Sequence, residues 1–183
     1  MSPIGHSLTG MTFYCLASRQ GILKKNIGAL LLVGIISNLP DLDFIPGLLL
    51  GTLNIFHNLF THSLFFALFV TLLFIPFKNL QKTCELNPWT VFMLISLHLV
   101  IDSFCGPQLG FHETYGVAFF YPLHKNWISM PFTIFPGIKH KDLSSILTLY
   151  NLRTVSVELA VGTVSLVLAH RHSKRMRLKD TLS

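Results

Sequence analysis

The longest uncharged stretch of the chain limits its possible folds more than any other feature. No Asp, Glu, Lys or Arg occurs between Phe44 and Phe77, a run of mainly apolar residues. A helix on the surface of a soluble domain carries charge on its outer face, so a run of this length without charge is typical of chain in lipid. Of all residues, 51% are hydrophobic and 12% are charged, about half of the charged share usual in soluble domains. The sequence therefore predicts an all-α integral membrane protein.

We predict one domain over residues 1–183, a bundle of four to five transmembrane or half-spanning helices. Proline ends the second helix and begins the fourth, because a proline lacks a backbone donor but is tolerated in a first turn. The predicted helices cover about residues 5–23, 27–39, 56–77, 88–104 and 153–169. A long irregular loop or cap over 105–150 separates the last two, and a basic tail follows at 171–183.

Lysine and arginine are unevenly distributed, and this predicts an orientation. The net charge is +6, and five of the 14 Lys and Arg lie in the tail. The connections after the first and third predicted helices are also basic, and basic segments stay on the inner side of a membrane. We expect the N-terminus outside and the C-terminus inside. The tail predicts contact with lipid headgroups and offers a surface to a protein partner, whereas nucleic-acid binding is not expected.

The cysteines and residues 1–10 argue against a cysteine-based site and a removable signal peptide. Cys15, Cys84 and Cys105 are far apart and form no CxxC pair, so they predict neither a thiolate metal site nor a disulfide framework. Residues 1–10 lack a basic region followed by a cleavable apolar stretch. We therefore expect no removable signal peptide.

Histidines and aspartates occupy the predicted outer ends of the helices. Ionisable groups in apolar spans cost several kcal/mol unless they are paired, so they indicate function. His98 and Asp102 lie one helical turn apart, and Asp41 and Asp43 alternate in the extended backbone predicted after Pro40. Each pair can address one site. The candidate metal ligands are His6, Asp41, Asp43, His57, His62, His98 and Asp102.

Imidazole and carboxylate together predict a divalent metal, zinc first, with manganese or iron as alternatives. Such an ion lowers the pKa of its bound water towards about 7, so that hydroxide is available at neutral pH for hydrolysis. Seven candidates exceed the needs of a one- or two-metal site, so some orient other ligands or act as general base. We assign Asp43 or Asp102 to that catalytic role. His57 and His62 can share a site only if a helix begins between them, with Thr61 as its cap.

These residues also allow less specific interpretations. The His98 and Asp102 pair can be a structural hydrogen bond, and His6 can simply be solvated at the interface. Glu158 either joins the cluster or pairs with Arg153. Two other functions stay open: a divalent-metal transporter or sensor, and a non-catalytic membrane scaffold that binds a regulatory protein through its tail. Transport is disfavoured because the candidate ligands lie at one end of the helices.

The motifs in their order resemble the YdjM-type family of bacterial inner-membrane-associated proteins, which are classed as metal-dependent hydrolases and described as LexA-binding. The shared pieces are His6 and the segments PDLD at 40–43, HNLFTHS at 57–63, HLVID at 98–102 and YPL at 121–123. They extend over roughly two-thirds of the chain. The resemblance implies a hydrolase of the bacterial inner membrane and leaves its substrate open.

Two residues are candidates for substrate binding. Asn58 stands where the family's H-R-x-x-T-H-S block has arginine, which weakens a preference for phosphate. Tyr121 belongs to an aromatic run that is typical of an interfacial belt or of a lid over a lipid. The H-x-x-x-D element is also similar to metal ligation in zinc-dependent phospholipase C and related nucleases, so a phosphoester or lipid-linked substrate ranks first.

Overall fold

The computed structural model describes five segments of the chain. They are residues 1–18, 26–50, 60–105, 116–139 and 146–180. Within these segments the protein has seven α-helices and no β-strand, with isolated bridges only between Cys105 and Phe135 and between Val117 and Ile128. The prediction of an all-α protein is confirmed for these segments.

The described part of the chain contains the following helices. They are α1 (Pro3–Ala17), α2 (Ile27–Ser37), α3 (Phe44–Leu49), α4 (Leu64–Phe74), α5 (Lys78–Cys84), α6 (Pro88–Ser103) and α7 (Leu149–Asp180). Two short 3-10 turns precede α3 and α4, at Leu39–Asp43 and Phe60–His62. These two turns carry three of the predicted ligands.

Side chains fix where four of the helices begin. Each of these side chains accepts a hydrogen bond from a backbone N–H of the first turn, which otherwise lacks a partner. The capping residues are Ser2 for α1, Asn26 for α2, Ser63 for α4 and Asn87 for α6. Sequence-local capping therefore sets the start of the elements that carry the site.

Two predicted helices are shorter in the structure. The first ends at Ala17 and not near residue 23, and Ser18 caps it. The third, predicted over 56–77, appears as α4, which Ser63 and not Thr61 caps. It ends at Phe74, with Ile75 as its C-cap and Pro76 next, because a proline lacks the backbone donor needed to continue the helix. Residues 56–59 lie outside the described residues.

The predicted basic tail is not separate from the last helix. α7 continues to Asp180, well past the predicted end at 169, because residues 163–180 contain no glycine or proline and include strong helix formers. The buried Ser173 hydroxyl donates to the Cys15 carbonyl at 3.1 Å, which fastens this part of α7 to α1. The loop predicted over 105–150 lacks helices at 116–139, but its last two residues belong to α7.

The core lies where α1 packs against α2, α6 and α7, and α6 against α4. Val33, Leu94 and Leu99 are fully buried there. Gly162 lets α1 approach α7 closely, since a Cβ at this position would lie 2.8 Å from the Leu8 side chain. This packing brings the first turn of α1 to the second half of α6.

One helix is long and apolar enough to cross a membrane, the segment Leu149–Met176 of α7. Two bent pairs pass the same test if each pair is counted as one span: Ile27–Ser37 with Leu39–Pro46, bent by 55°, and Leu64–Phe74 with Lys78–Cys84, bent by 101°. The described residues thus give one clear span and at most three, so the predicted bundle of four to five transmembrane or half-spanning helices is not confirmed. The other helices are shorter than the about 20 residues that a bilayer requires.

Candidate metal centre

The turn after α2 places two carboxylates on either side of one imidazole. Pro40 begins a tight turn, closed by a hydrogen bond from the Asp41 N–H to the Asn38 carbonyl at 3.1 Å, so the predicted extended backbone is wrong. The two acids do not point the same way. Asp41 Oδ1 lies 3.5 Å from His62 Nε2, whereas Asp43 Oδ2 lies 3.1 Å from His62 Nδ1.

His62 is completely buried and held by Asp43. Because a carboxylate can only accept, Nδ1 carries the proton that is donated to Asp43 Oδ2. The Thr61 hydroxyl donates to the same oxygen at 2.8 Å. In the neutral ring the lone pair is therefore on Nε2, which faces Asp41 and Asp102. A carboxylate behind a ligating histidine is the usual way to fix its tautomer and its orientation.

His98 is held in the same way from the other side. Its Nδ1 donates to the carbonyl of Ser37, the last residue of α2, at 2.7 Å. Its Nε2 lies 3.1 Å from Asp102 Oδ2, 3.5 Å from Asp41 Oδ1 and 3.3 Å from His62 Nε2. Two neutral imidazoles would turn lone pairs towards each other at this distance, so a proton or a cation is required between them.

Four residues offer one ligand atom each within 4.8 Å of one another: Asp41, His62, His98 and Asp102. The distances between their imidazole nitrogens and carboxylate oxygens, 3.1 to 3.7 Å, are close to the roughly 3.3–3.6 Å between donors about 2.0–2.2 Å from a tetrahedral zinc. The donor set and its spacing therefore fit a small divalent ion. Asp43 stands behind His62 and is not one of the four.

The charges of the centre also favour a cation. Burial lowers the pKa of His62, but hydrogen bonds with Asp102, Asp41 and Asp43 outweigh it and hold that pKa well above its usual range. Three ionised carboxylates surround two buried imidazoles, and their charge is costly unless cations compensate it. The Met1 ammonium, 2.7 Å from Asp102 Oδ1, supplies one positive charge. In the absence of a metal, a proton on His62 supplies another.

The first turn of α1 adds His6 to this centre. The His6 ring is 2% exposed and stacks on His98, with centroids 3.6 Å apart and planes 15° apart. His6 Nε2 lies 3.1 Å from Asp102 Oδ1, but the angle is unsuitable and neither ring nitrogen has a hydrogen-bond partner. The solvated interfacial histidine considered from sequence is therefore wrong.

Glu158 is fully buried on α7 and pairs with the start of α1. Its Oε2 accepts from the Ser2 N–H at 2.9 Å and from the Ser2 hydroxyl. Arg153, the partner considered from sequence, is exposed. Glu158 Oε1 has no hydrogen-bond partner within the described segments.

A family model described as "YdjM inner membrane protein" matches residues 1–178. The chain belongs to the YdjM family. No curated protein and no solved structure gives a significant match to the chain. Membership agrees with the apolar α7 in associating the protein with a membrane. The YdjM resemblance inferred from the ordered motifs is thus confirmed.

The YdjM-family motifs occupy distinct parts of the centre. The PDLD turn, the THS segment and the HLVID segment contribute Asp41, His62, His98 and Asp102, and α1 contributes His6. The role of Ser37 was not predicted, because it acts through its backbone carbonyl, which every residue has. The role of Ser2 was also missed, since only packing reveals its contact with Glu158.

Three other predictions concerned this chain's loop residues and cysteines. His57 and Asn58 lie outside the described residues. Tyr121 is half-buried and its N–H donates to the Ala118 carbonyl at 3.0 Å, but within the described segments no hydrogen bond joins its side chain to the centre. The Cys105 thiol donates to Asp102 Oδ1 at 3.7 Å, and burial raises its pKa to about 11.

Proposed function

We propose that this YdjM-family protein is a membrane-bound, metal-dependent hydrolase. The observation that carries the proposal is the group Asp41, His62, His98 and Asp102, whose four ligand atoms lie within 4.8 Å of one another. Both imidazoles donate their other nitrogen to a fixed acceptor, as expected of histidines prepared for a metal. Purely structural hydrogen bonds would not need this excess of carboxylate.

The residues divide into those that hold the ion and those that hold its ligands. Asp41, His62, His98 and Asp102 hold the ion, with zinc preferred and manganese or iron as alternatives. Asp43 is a positioning residue, because it contacts His62 through the nitrogen that faces away from the other ligands. When bound, the ion supplies a Lewis acid that lowers the pKa of water and stabilises negative charge on a phosphoryl or acyl oxygen.

The carboxylates differ in access, which suggests how substrate arrives. The Asp41 side chain is 16% exposed, that of Asp102 10% and that of Asp43 6%. Water and substrate therefore reach the centre from the side of Asp41. Asp102 was predicted as a proton acceptor, but its Oδ2 is one of the four ligand atoms, so only its Oδ1 is left for that role.

The substrate class we favour is a phosphoester or lipid-linked molecule at the outer leaflet. Exposed apolar side chains such as Phe69, Leu72 and Val164 give α4 and α7 surfaces suited to lipid. If both bent pairs and α7 cross the bilayer, the protein is multi-pass. We retain the orientation with the N-terminus out and the C-terminus in the cytoplasm, where exposed Arg171, Lys174 and Arg175 meet anionic headgroups or a protein partner.

Metal analysis combined with a substrate screen tests the proposal. The protein is purified in detergent, its metals are quantified by mass spectrometry, and it is assayed on phosphomonoesters, phosphodiesters and phospholipids. We expect bound zinc, manganese or iron and hydrolysis that chelation abolishes and metal restores. His98→Ala should lose both, whereas His124→Ala, at an exposed position, should retain both.

Two results would contradict the proposal. One is wild-type protein that stays metal-free after incubation with each of the three ions. The other is unchanged biological function in His98→Ala together with its loss on deletion of residues 171–183, which would support the scaffold. Circular dichroism and size-exclusion profiles of each variant show whether a loss reflects misfolding.

A further inference from the structure

Glu158 joins α7 to the first turn of α1. Its side chain is fully buried, and Oε2 accepts hydrogen bonds from the Ser2 N–H at 2.9 Å and from the Ser2 hydroxyl. A Cβ at Gly5 would lie 2.8 Å from the same oxygen. The absence of a side chain at Gly5 therefore lets the first turn of α1 approach this carboxyl group closely.

Ser2 holds the backbone of the turn that carries His6. The Ser2 hydroxyl accepts from the Gly5 N–H at 3.2 Å and caps α1, and the Ser2 carbonyl accepts from the His6 N–H at 3.0 Å. Both Ser2 and His6 are buried. Because these bonds close one turn of helix, a displacement of Ser2 moves the backbone of His6 with it.

The same turn lies against two of the four proposed ligands. The His6 ring stacks on the His98 ring with centroids 3.6 Å apart, and His6 Nε2 lies 3.1 Å from Asp102 Oδ1. The Met1 amine lies 2.7 Å from that oxygen. The other oxygen of Asp102 faces His98 Nε2 inside the group of four. The position of this turn therefore affects both His98 and Asp102.

We propose that Glu158 is a positioning residue of the metal centre and acts through Ser2. By holding the first turn of α1 against His98 and Asp102, it keeps these two ligands in the arrangement that binds the ion. The inference rests on the proposed function and adds to it a residue of α7, a helix that contributes none of the four ligands. Residues that orient metal ligands contribute roughly 10–100-fold to metal affinity. Because Glu158 acts through a further residue, we expect about tenfold, the lower end of that range.

A second hydrogen bond between the same two helices provides a matched control. The buried Ser173 hydroxyl of α7 donates to the Cys15 carbonyl at 3.1 Å, near the C-terminal end of α1. Loss of either contact removes a hydrogen bond between α1 and α7, so both should lower the stability of the protein. Only the contact of Glu158 is made with the turn that carries His6. The two contacts therefore separate a positioning role from a purely structural one.

The test compares zinc affinity, measured by competition with a chromophoric chelator, with the Tm of metal-free, full-length protein in detergent. Glu158→Ala should bind zinc about tenfold more weakly than the wild type, with unchanged stoichiometry. Glu158→Gln should bind it nearly as well as the wild type, because its amide oxygen can still accept from Ser2. Ser173→Ala should lower the Tm and leave the zinc affinity unchanged. Glu158→Met, which has an apolar side chain of similar length, repeats the test if Glu158→Ala does not fold.

Three outcomes would overturn the inference and leave the proposed function standing. In the first, Glu158→Ala or Glu158→Met keeps the zinc affinity of the wild type. In the second, Glu158→Gln loses as much affinity as Glu158→Ala, so that hydrogen bonding to Ser2 is not the cause. In the third, Ser173→Ala loses as much, so that affinity merely follows stability. Wild-type protein without measurable zinc affinity also overturns the inference, whereas the proposed function fails only if manganese and iron do not bind either.

Discussion

The two ends of α1 satisfy their buried polar groups in different ways. At its C-terminal end, the Tyr14 hydroxyl donates to the Cys84 carbonyl and the Cys15 carbonyl accepts from Ser173. These are neutral pairs. At its N-terminal end, His6 lies among ionised carboxylates, and both of its nitrogens lack hydrogen-bond partners. The contrast distinguishes polar groups that hold helices together from polar groups gathered around the proposed metal centre.

The largest expected effect is loss of the metal when a ligand is removed. Asp102→Ala deletes an oxygen from the group of four and the carboxylate whose Oδ1 lies 3.1 Å from His6. Metal affinity should fall by more than the roughly 10–100-fold that an orienting residue costs. Isothermal titration with zinc measures this. If Asp102→Ala keeps the zinc affinity of the wild type, Asp102 is not a ligand, and the proposed difference between the two ends of α1 does not hold.

A smaller loss is expected when Asp43 is changed. Asp43→Ala removes the acceptor of His62 Nδ1 and leaves all four ligands in place. Zinc stoichiometry should stay the same while affinity falls roughly 10–100-fold. Asp43→Asn, which keeps an acceptor oxygen, should lose less. If Asp43→Ala lowers the stoichiometry instead, Asp43 is a ligand, as it was also predicted to be from sequence.

The pH dependence of the centre should have opposite signs with and without metal. Although burial opposes it, the surrounding carboxylates raise the pKa of His62. The metal-free protein therefore gains stability from this proton below the ordinary pKa of about 6.5 and loses it as the pH rises through the raised value. Zinc needs the deprotonated ring.

The stabilisation by zinc should consequently increase with pH. Thermal unfolding of the protein with and without zinc, at about pH 6 and about pH 8, measures the shift in Tm on each side. A shift that is larger at the acidic pH contradicts the role of His62 as a ligand. The Tyr14→Phe variant should show the same pH trend as the wild type, since Tyr14 lies at the other end of α1.

The smallest effect is expected at the structural end. Tyr14→Phe removes one neutral hydrogen bond to the Cys84 carbonyl, which contributes about 0.5–1.5 kcal/mol. Thermal unfolding should show a modest decrease in Tm, and zinc affinity should not change. A loss of zinc in this variant would show that the two ends are coupled and that the contrast between them does not hold.

Local signals in the sequence predicted much of the centre. The i, i+4 spacing of His98 and Asp102 predicted that both lie on one face of α6. In the structure, Asp102 Oδ2 lies 3.1 Å from His98 Nε2. Pro40 indicated that a helix ends nearby, although α2 ends at Ser37 and not at residue 39. The turn that follows was not extended, because the hydrogen bond from Asp41 to Asn38 closes a tight turn instead.

Long-range packing could not be predicted from one sequence. The contact of Ser2 with Glu158 spans α1 and α7, and the Ser37 carbonyl that orients His98 belongs to the backbone of a different helix. The length of α7 was underestimated because charge was taken as the end of the helix, whereas Lys and Arg are good helix formers. The bends within two apolar helix pairs were also not predicted, because apolar content does not report where a helix bends.

X-ray absorption by protein loaded with one equivalent of zinc tests most directly whether Asp41, His62, His98 and Asp102 hold the ion. We predict two imidazole nitrogens and carboxylate oxygens at about 2.0–2.2 Å, with the imidazole scattering reduced in His62→Ala. A spectrum without imidazole scattering, or one dominated by sulfur at about 2.3 Å, would contradict this assignment.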